Sequence, residues 1–147
     1  MNKCCLICER IEMIKQGTNP WFVKELETGY VVIGDFQTYR GYTVFLCKEH
    51  NSELHELDVL FKNKFLNEMS LVAEAVYKAF QPDKMNYELL GNTDEHMHWH
   101  LFPRRISDKK AFTAVWAVPK KERNDKPTGK DLEVIKKLLL TELDKLF

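Results

Sequence analysis

His96-Met97-His98-Trp99-His100-Leu101-Phe102 sets three of the chain's five histidines at alternate positions, each followed by an apolar residue. A period of two marks a strand whose faces differ, because successive side chains of extended backbone point to opposite sides. His96, His98 and His100 then share one side, while Met97, Trp99 and Leu101 enter a core on the other. Imidazoles two residues apart along a strand are roughly 6.5–7 Å from one another. Such a row suits groups acting on one extended substrate better than three ligands of a single metal. Neutral imidazole is a good nucleophile near neutral pH and also transfers protons there. A ring nitrogen that attacks phosphorus gives a phosphoramidate that water can later open, while neighbouring imidazoles and amides hold the phosphate oxygens. His98 has a partner on each side and is the natural nucleophile. Its second ring nitrogen needs an acceptor to fix the tautomer, most simply a backbone carbonyl.

Working outward, residues 6–15 carry Ile7, Ile11 and Ile14 at helical spacing before Gln16-Gly17. Residues 21–34 read as a β-hairpin turning at Glu27-Thr28-Gly29, followed by a loop over 34–41 bracketed by glycines. Tyr42-Thr43-Val44-Phe45-Leu46 is a further strand, which delivers His50 just past its end. Phe61, Phe65, Met69, Val72, Val76 and Phe80 step by three or four and predict a long helix, stopped at Gln81-Pro82-Asp83. Strands are predicted at 86–90, at 96–102 (ended by Pro103) and at 112–118, and a polar connector over 120–130. Leu132, Ile135, Leu139, Leu143 and Leu146 form the apolar stripe of a C-terminal helix. Strands interrupted by one long helix predict an α+β fold around an antiparallel sheet of about five strands.

The 147 residues carry 22 Lys+Arg against 22 Asp+Glu. Zero net charge argues against a broadly polyanion-seeking surface, so nucleic acid is not an expected partner. A hydrophobic content of 44% is enough for the core of one domain over 1–147, with its main body at about 5–105 and an extension over 106–147. No apolar run approaches the roughly 20 residues that span a bilayer. The start, Met1-Asn2-Lys3-Cys4-Cys5, lacks a signal-peptide core, so the expected location is cytoplasmic, with no membrane partner. In a reducing compartment Cys5-x-x-Cys8 reads as half of a metal site or as buried thiols rather than as a disulfide. Cys4 reads as a surface thiol, Cys47 as a strand-core residue, His55 as surface, and the Arg104-Arg105 pair as solvated.

The stretch His96–Phe102 fits the pattern His-φ-His-φ-His-φ-φ, with φ apolar, and Pro103-Arg104 continues it. The chain thereby resembles the histidine triad (HIT) family. The similarity runs from Cys5-Leu6-Ile7-Cys8 through Asp35 and the strand over 43–50 to Arg104, about two-thirds of the sequence. Asn86-Tyr87-Glu88-Leu89-Leu90-Gly91-Asn92 looks like the bacterial branch labelled diadenosine polyphosphate hydrolase-like. The resemblance implies a HIT-like fold and a nucleotide hydrolase or nucleotidyl transferase that cleaves a phosphoanhydride or phosphoramidate bond. It implies that His98 becomes nucleotidylated on the α-phosphate and that His100 contacts the phosphate and assists the leaving group. Asp35 matches the acidic residue that binds ribose hydroxyls. Asn92-Thr93 stands where many members carry Gln-Ser or Gln-Thr, which implies phosphate binding by an amide and a hydroxyl. Asp94-Glu95 departs from the family, and two carboxylates beside a phosphate site repel polyphosphates unless they point outward.

The same resemblance implies a structural zinc held by Cys5, Cys8, His50 and His96, and no organic cofactor. Two thiolates and two imidazoles close a tetrahedral site with no position left for substrate. Triad proteins commonly dimerise, so a homodimer is a further expectation. Two other readings compete. One is a noncatalytic nucleotide-binding or sensing module with a structural zinc, favoured by Asn92, Asp94 and Glu95; the other is a zinc-dependent interaction domain with a vestigial triad.

Overall fold

The computed structural model describes residues 5–147, so Cys4 lies outside the described residues. Helix α1 (Leu6–Lys15) is N-capped by Cys5. Strands β1 (Phe22–Glu25), β2 (Gly29–Ile33) and β3 (Thr43–Cys47) follow, then the long helix α2 (Val59–Phe80). Strands β4 (Lys84–Glu88) and β5 (His98–Arg104) and the C-terminal helix α3 (Gly129–Leu143) complete the elements. The sheet is antiparallel in the order β1-β2-β3-β5-β4. The histidine strand β5 is therefore an inner strand, held by β3 on one side and β4 on the other.

Period-two patterning sorts the strand residues between two apolar layers. Val31, Ile33, Phe45 and Leu101 face α2 and α3, where Phe65, Val72, Val76, Ile135 and Leu139 complete the main core. Tyr30, Val32, Tyr42, Val44 and Phe102 lie in a second cluster with Ile7 and Ile11 of α1 and with Val115. The histidines are on this second side, which is covered rather than open: His96 is 2% and His98 8% exposed. Gly34 is needed where it stands. A Cβ there would come within 2.1 Å of the Tyr42 ring, so the bare backbone lets that ring lie close.

The α+β architecture, the hairpin, the three helices and the buried Cys47 agree with the sequence reading. Three expectations are corrected. Residues 112–118 form no strand; a short 3-10 turn (Val115–Ala117) crosses the second face, because Val115 and Trp116 pack there instead of extending a sheet edge. The strands expected at 86–90 and 96–102 fall two residues away, at 84–88 and 98–104. Met97 exchanges backbone bonds with Cys47 and Asn51, which takes it out of the regular ladder, and Pro103 is accommodated within β5, opposite Met85. Finally, Arg104 is not solvated. It is 4% exposed, donates to Asn86 Oδ1 and to the Thr113 and Ala111 carbonyls, and lies over the Tyr39 ring at 4.7 Å. Arg105 is also engaged, donating to the Phe80 carbonyl at the end of α2 at 2.8 Å.

Glu68 on α2 is a buried carboxylate that the apolar stripe gives no reason to expect. It accepts from the Glu27 and Thr28 amides at 3.1 and 2.9 Å and from the Thr28 hydroxyl, closing the β1–β2 turn from a distance. Glu68→Leu strands these buried donors and is expected to cost about 3 kcal/mol, lowering Tm by roughly 6–12 °C for a chain of this size. A melting curve unchanged by the substitution would refute the turn-closing role.

Candidate functional site

Strand β5 places His98 and His100 side by side, with ring centroids 4.8 Å apart and planes at 73°. His98 Nδ1 is 2.7 Å from the carbonyl of His96. A carbonyl only accepts, so Nδ1 carries the proton, and in the neutral ring Nε2 is left with its lone pair. His100 is held the opposite way. Its Nδ1 lies 2.6 Å from the Tyr42 hydroxyl. Burial, and secondarily the charge on His98, pulls the His100 pKa from 6.5 down to about 3, so the ring is neutral near pH 7. Burial, with the charges of Asp35 and Glu88 adding to it, raises the phenol of Tyr42 well above its ordinary range. The phenol therefore keeps its proton and donates it to Nδ1, and His100 presents Nε2–H as a donor. One imidazole offers an electron pair and its neighbour offers a hydrogen.

Aromatic packing fixes this arrangement. Tyr42 stacks on Phe102 at 4.0 Å and lies 6.0 Å from His100, while Trp116 meets His100 edge-on at 5.1 Å. Arg123 lies over the Trp116 ring at 4.7 Å. Glu88 stands opposite His100 in the β4–β5 register, and burial raises its carboxyl pKa against a hydrogen bond from Trp116 and the Arg104 charge. Tyr42, Trp116 and Glu88 are site residues that sequence reasoning missed. Tyr42 was legible in principle, since it lies on the same face as Val44, the register partner of His100. Trp116 carried no signal, because its segment reads as a strand.

The buried neutral imidazole has a consequence in acid. Between pH 6.5 and about 3 the unfolded chain binds a proton at His100 that the folded chain does not. Stability is expected to fall as pH is lowered through that window, and less steeply in His100→Asn. Equal slopes in melting temperature against pH for the two proteins would contradict this assignment.

The Cys5 and Cys8 thiols and the His50 and His96 imidazoles gather behind the triad, all four donor atoms lying within 4.8 Å of one another. His96 Nδ1 is 3.5 Å from Cys5 Sγ and 3.4 Å from Cys8 Sγ, and His50 Nδ1 is 3.2 Å from Cys8 Sγ. Tetrahedral zinc with Zn–S of about 2.3 Å and Zn–N of about 2.05 Å sets sulfur–nitrogen edges of about 3.5 Å. The donor set fits. His96 Nε2 lies 2.7 Å from the Cys47 carbonyl, which turns the unprotonated Nδ1 toward the thiols, and the Cys8 amide donates to Cys5 Sγ. Burial also lowers the His96 pKa, so the ring is held in the neutral form that binds metals.

The remaining candidates are less closely gathered. Asp35, just past β2, is paired with Arg10 of α1 rather than standing alone. Asn92 and Thr93 are exposed on the β4–β5 loop, and His55 is exposed as expected. Glu95 of the same loop lines a cleft of about 240 Å³ that runs from Glu53 and His55 to His98. The hydrogen bond to Asp35 raises the Arg10 pKa, and the charge of Asp94 adds least to that shift.

A family model described as the HIT domain matches residues 21–107, more than half of the chain. The chain belongs to the HIT domain family. Histidine triad proteins are in general nucleotide-binding hydrolases or transferases, and this chain falls in that broad class. No curated protein sequence matches it. Solved structures share the fold. A histidine triad protein from Bradyrhizobium japonicum is 20% identical, with a TM-score of 0.76 over 83% of this chain and 89% of its own. One from Marinobacter aquaeolei VT8 is 23% identical, TM-score 0.76, over 86% and 90%. A zinc-bound family protein from Mycobacterium smegmatis is 23% identical, TM-score 0.66, over 97% and 95%. In this HIT protein, no helix among the described residues is long and apolar enough to cross a membrane.

Proposed function

We propose that this HIT protein cleaves nucleoside phosphoramidates or dinucleoside polyphosphates through a covalent nucleotidyl-His98 intermediate. The observation that carries the reading is the pair of opposed tautomers: the His96 carbonyl leaves His98 Nε2 unprotonated, while Tyr42 leaves a proton on His100 Nε2. His98 Nε2 attacks the α-phosphorus, forming a P–N bond as the bond to the leaving group breaks. His100 Nε2–H keeps its proton and hydrogen-bonds the phosphate and the departing atom, stabilising the charge that builds there, while a departing amine takes its proton from solvent. Water then opens the P–N bond, releasing a nucleoside monophosphate and restoring His98. In the same reading Asp35 accepts from ribose hydroxyls, and the Asn92 amide and Thr93 hydroxyl hold phosphate oxygens.

Cys5, Cys8, His50 and His96 hold a structural zinc in this proposal, supported by their donor geometry and by the zinc-bound Mycobacterium smegmatis relative. Zinc supplies rigidity there and pins α1 to the start of β5. The residues 86–92 support placing the chain in the diadenosine polyphosphate hydrolase-like branch, with a nucleotide as its small-molecule partner. Mass spectrometry of protein quenched during turnover of a nucleoside phosphoramidate and of a diadenosine polyphosphate tests the reading. A nucleotidyl mass on the peptide carrying His98 is the expected result; turnover with no such adduct on rapid quenching, and undiminished in His98→Ala, would refute it.

A further inference from the structure

Arg10 and Asp35 are joined fork to fork. Arg10 Nη1 donates to Asp35 Oδ1 and Nη2 to Oδ2, both at 2.7 Å. The side chains keep 28% and 41% of their exposure, and an ion pair this open adds little to stability. Its geometry is more informative than its energy. A carboxylate has about four lone-pair directions, two on each oxygen, and a bidentate guanidinium uses one on each. One acceptor site per oxygen is left, which matches the two adjacent hydroxyls of a ribose. The guanidinium also cancels the negative charge that Asp35 would otherwise hold against a substrate phosphate.

Arg10 is itself held firmly. Its helix is anchored on the sheet by Ile7 and Ile11, 5% and 6% exposed, and begins at the Cys5–Cys8 cluster. The Arg10 carbonyl accepts from Asn19 Nδ2 at 3.1 Å. Asp94, on the loop that leads into the histidine strand, adds its field to that of Asp35 at the guanidinium. Two segments thus meet at one side chain: α1 and the turn after β2.

We propose that Arg10 is a positioning residue for ribose recognition, holding Asp35 in the one orientation that presents an acceptor to each hydroxyl. The proposal rests on the reading of Asp35 as the ribose-binding carboxylate. Its test is equilibrium binding of adenosine 5′-monophosphate and of its 2′,3′-dideoxy analogue to the full chain. Wild type is expected to prefer the ribonucleotide about tenfold or more. Arg10→Gln is expected to bring the two affinities within about twofold by weakening ribonucleotide binding alone, with an unchanged melting temperature. Arg10→Lys keeps the charge but not the fork and is expected to behave as Arg10→Gln. Full discrimination in Arg10→Gln, or its recovery in Arg10→Lys, overturns the proposal. Asp35→Asn separates the two layers. Discrimination lost in Asp35→Asn but retained in Arg10→Gln removes only the role of Arg10; discrimination retained in Asp35→Asn, or absent from wild type, removes the ribose reading of Asp35 as well.

Discussion

His98→Ala is expected to lower turnover of a nucleoside phosphoramidate or a diadenosine polyphosphate by at least about 10⁴-fold, with the adduct absent from the quenched protein. The size of the effect follows from what is removed. Alanine takes away the attacking atom itself, so the two-step route through a P–N bond closes and water must attack phosphorus directly. His100 and the phosphate-binding groups remain, and they leave a residual rate rather than none. His98 is on the second face of the sheet, outside the α2–α3 core, so the substituted protein is expected to stay folded. Its melting curve serves as the control. A folded variant that keeps a tenth or more of wild-type turnover would exclude His98 as the nucleophile.

Removing the metal is expected to give the largest change in stability. Purified protein is expected to hold one zinc per chain, and a strong chelator is expected to lower Tm by roughly 10 °C. That figure corresponds to a ligand present at about a thousand times its dissociation constant, worth roughly 4 kcal/mol to the folded state. Binding zinc through thiolates and neutral imidazoles releases protons, so the effect should grow at higher pH. Cys8→Ser, which replaces a thiolate with a poor ligand, should reproduce most of the loss and blunt any further effect of the chelator. Metal-free protein with an unaltered melting curve in chelator would dispose of the site.

The legible parts of this molecule are those in which one residue's neighbours along the chain decide its surroundings. The stripe from Phe61 to Phe80 specifies α2 because helical spacing alone gathers its apolar face. The alternation at 96–102 separates Leu101 from His100 across the sheet for the same local reason. What stayed hidden depends on contacts between distant segments. Residues 112–118 read as a strand, yet both edges of the sheet are elsewhere and Val115 and Trp116 are drawn across the histidine face. Arg104 looks like surface charge until the 108–113 loop wraps around it and supplies carbonyl acceptors. The Tyr42–His100 bond joins residues 58 apart in sequence, and the Arg10–Asp35 fork joins residues 25 apart. Neither pairing follows from residue type. The four cysteine and histidine donors became readable as one set through family resemblance, and their convergence needed the structure.

Glu68 also bears on how the chain acquires its shape. The β1–β2 connection has no partner of its own for the Glu27 and Thr28 amides; their acceptor lies about forty residues further on, in the middle of α2. The hairpin is therefore an incomplete unit during synthesis. Until α2 has formed and docked, its turn competes for water and its strand register is weakly specified. Forming it requires closing a long loop before the contact rewards the closure, which links assembly of the first two strands to that of the helix. A fragment ending before residue 59 would lack not only the α2–α3 core but also the group that tells the hairpin where to turn.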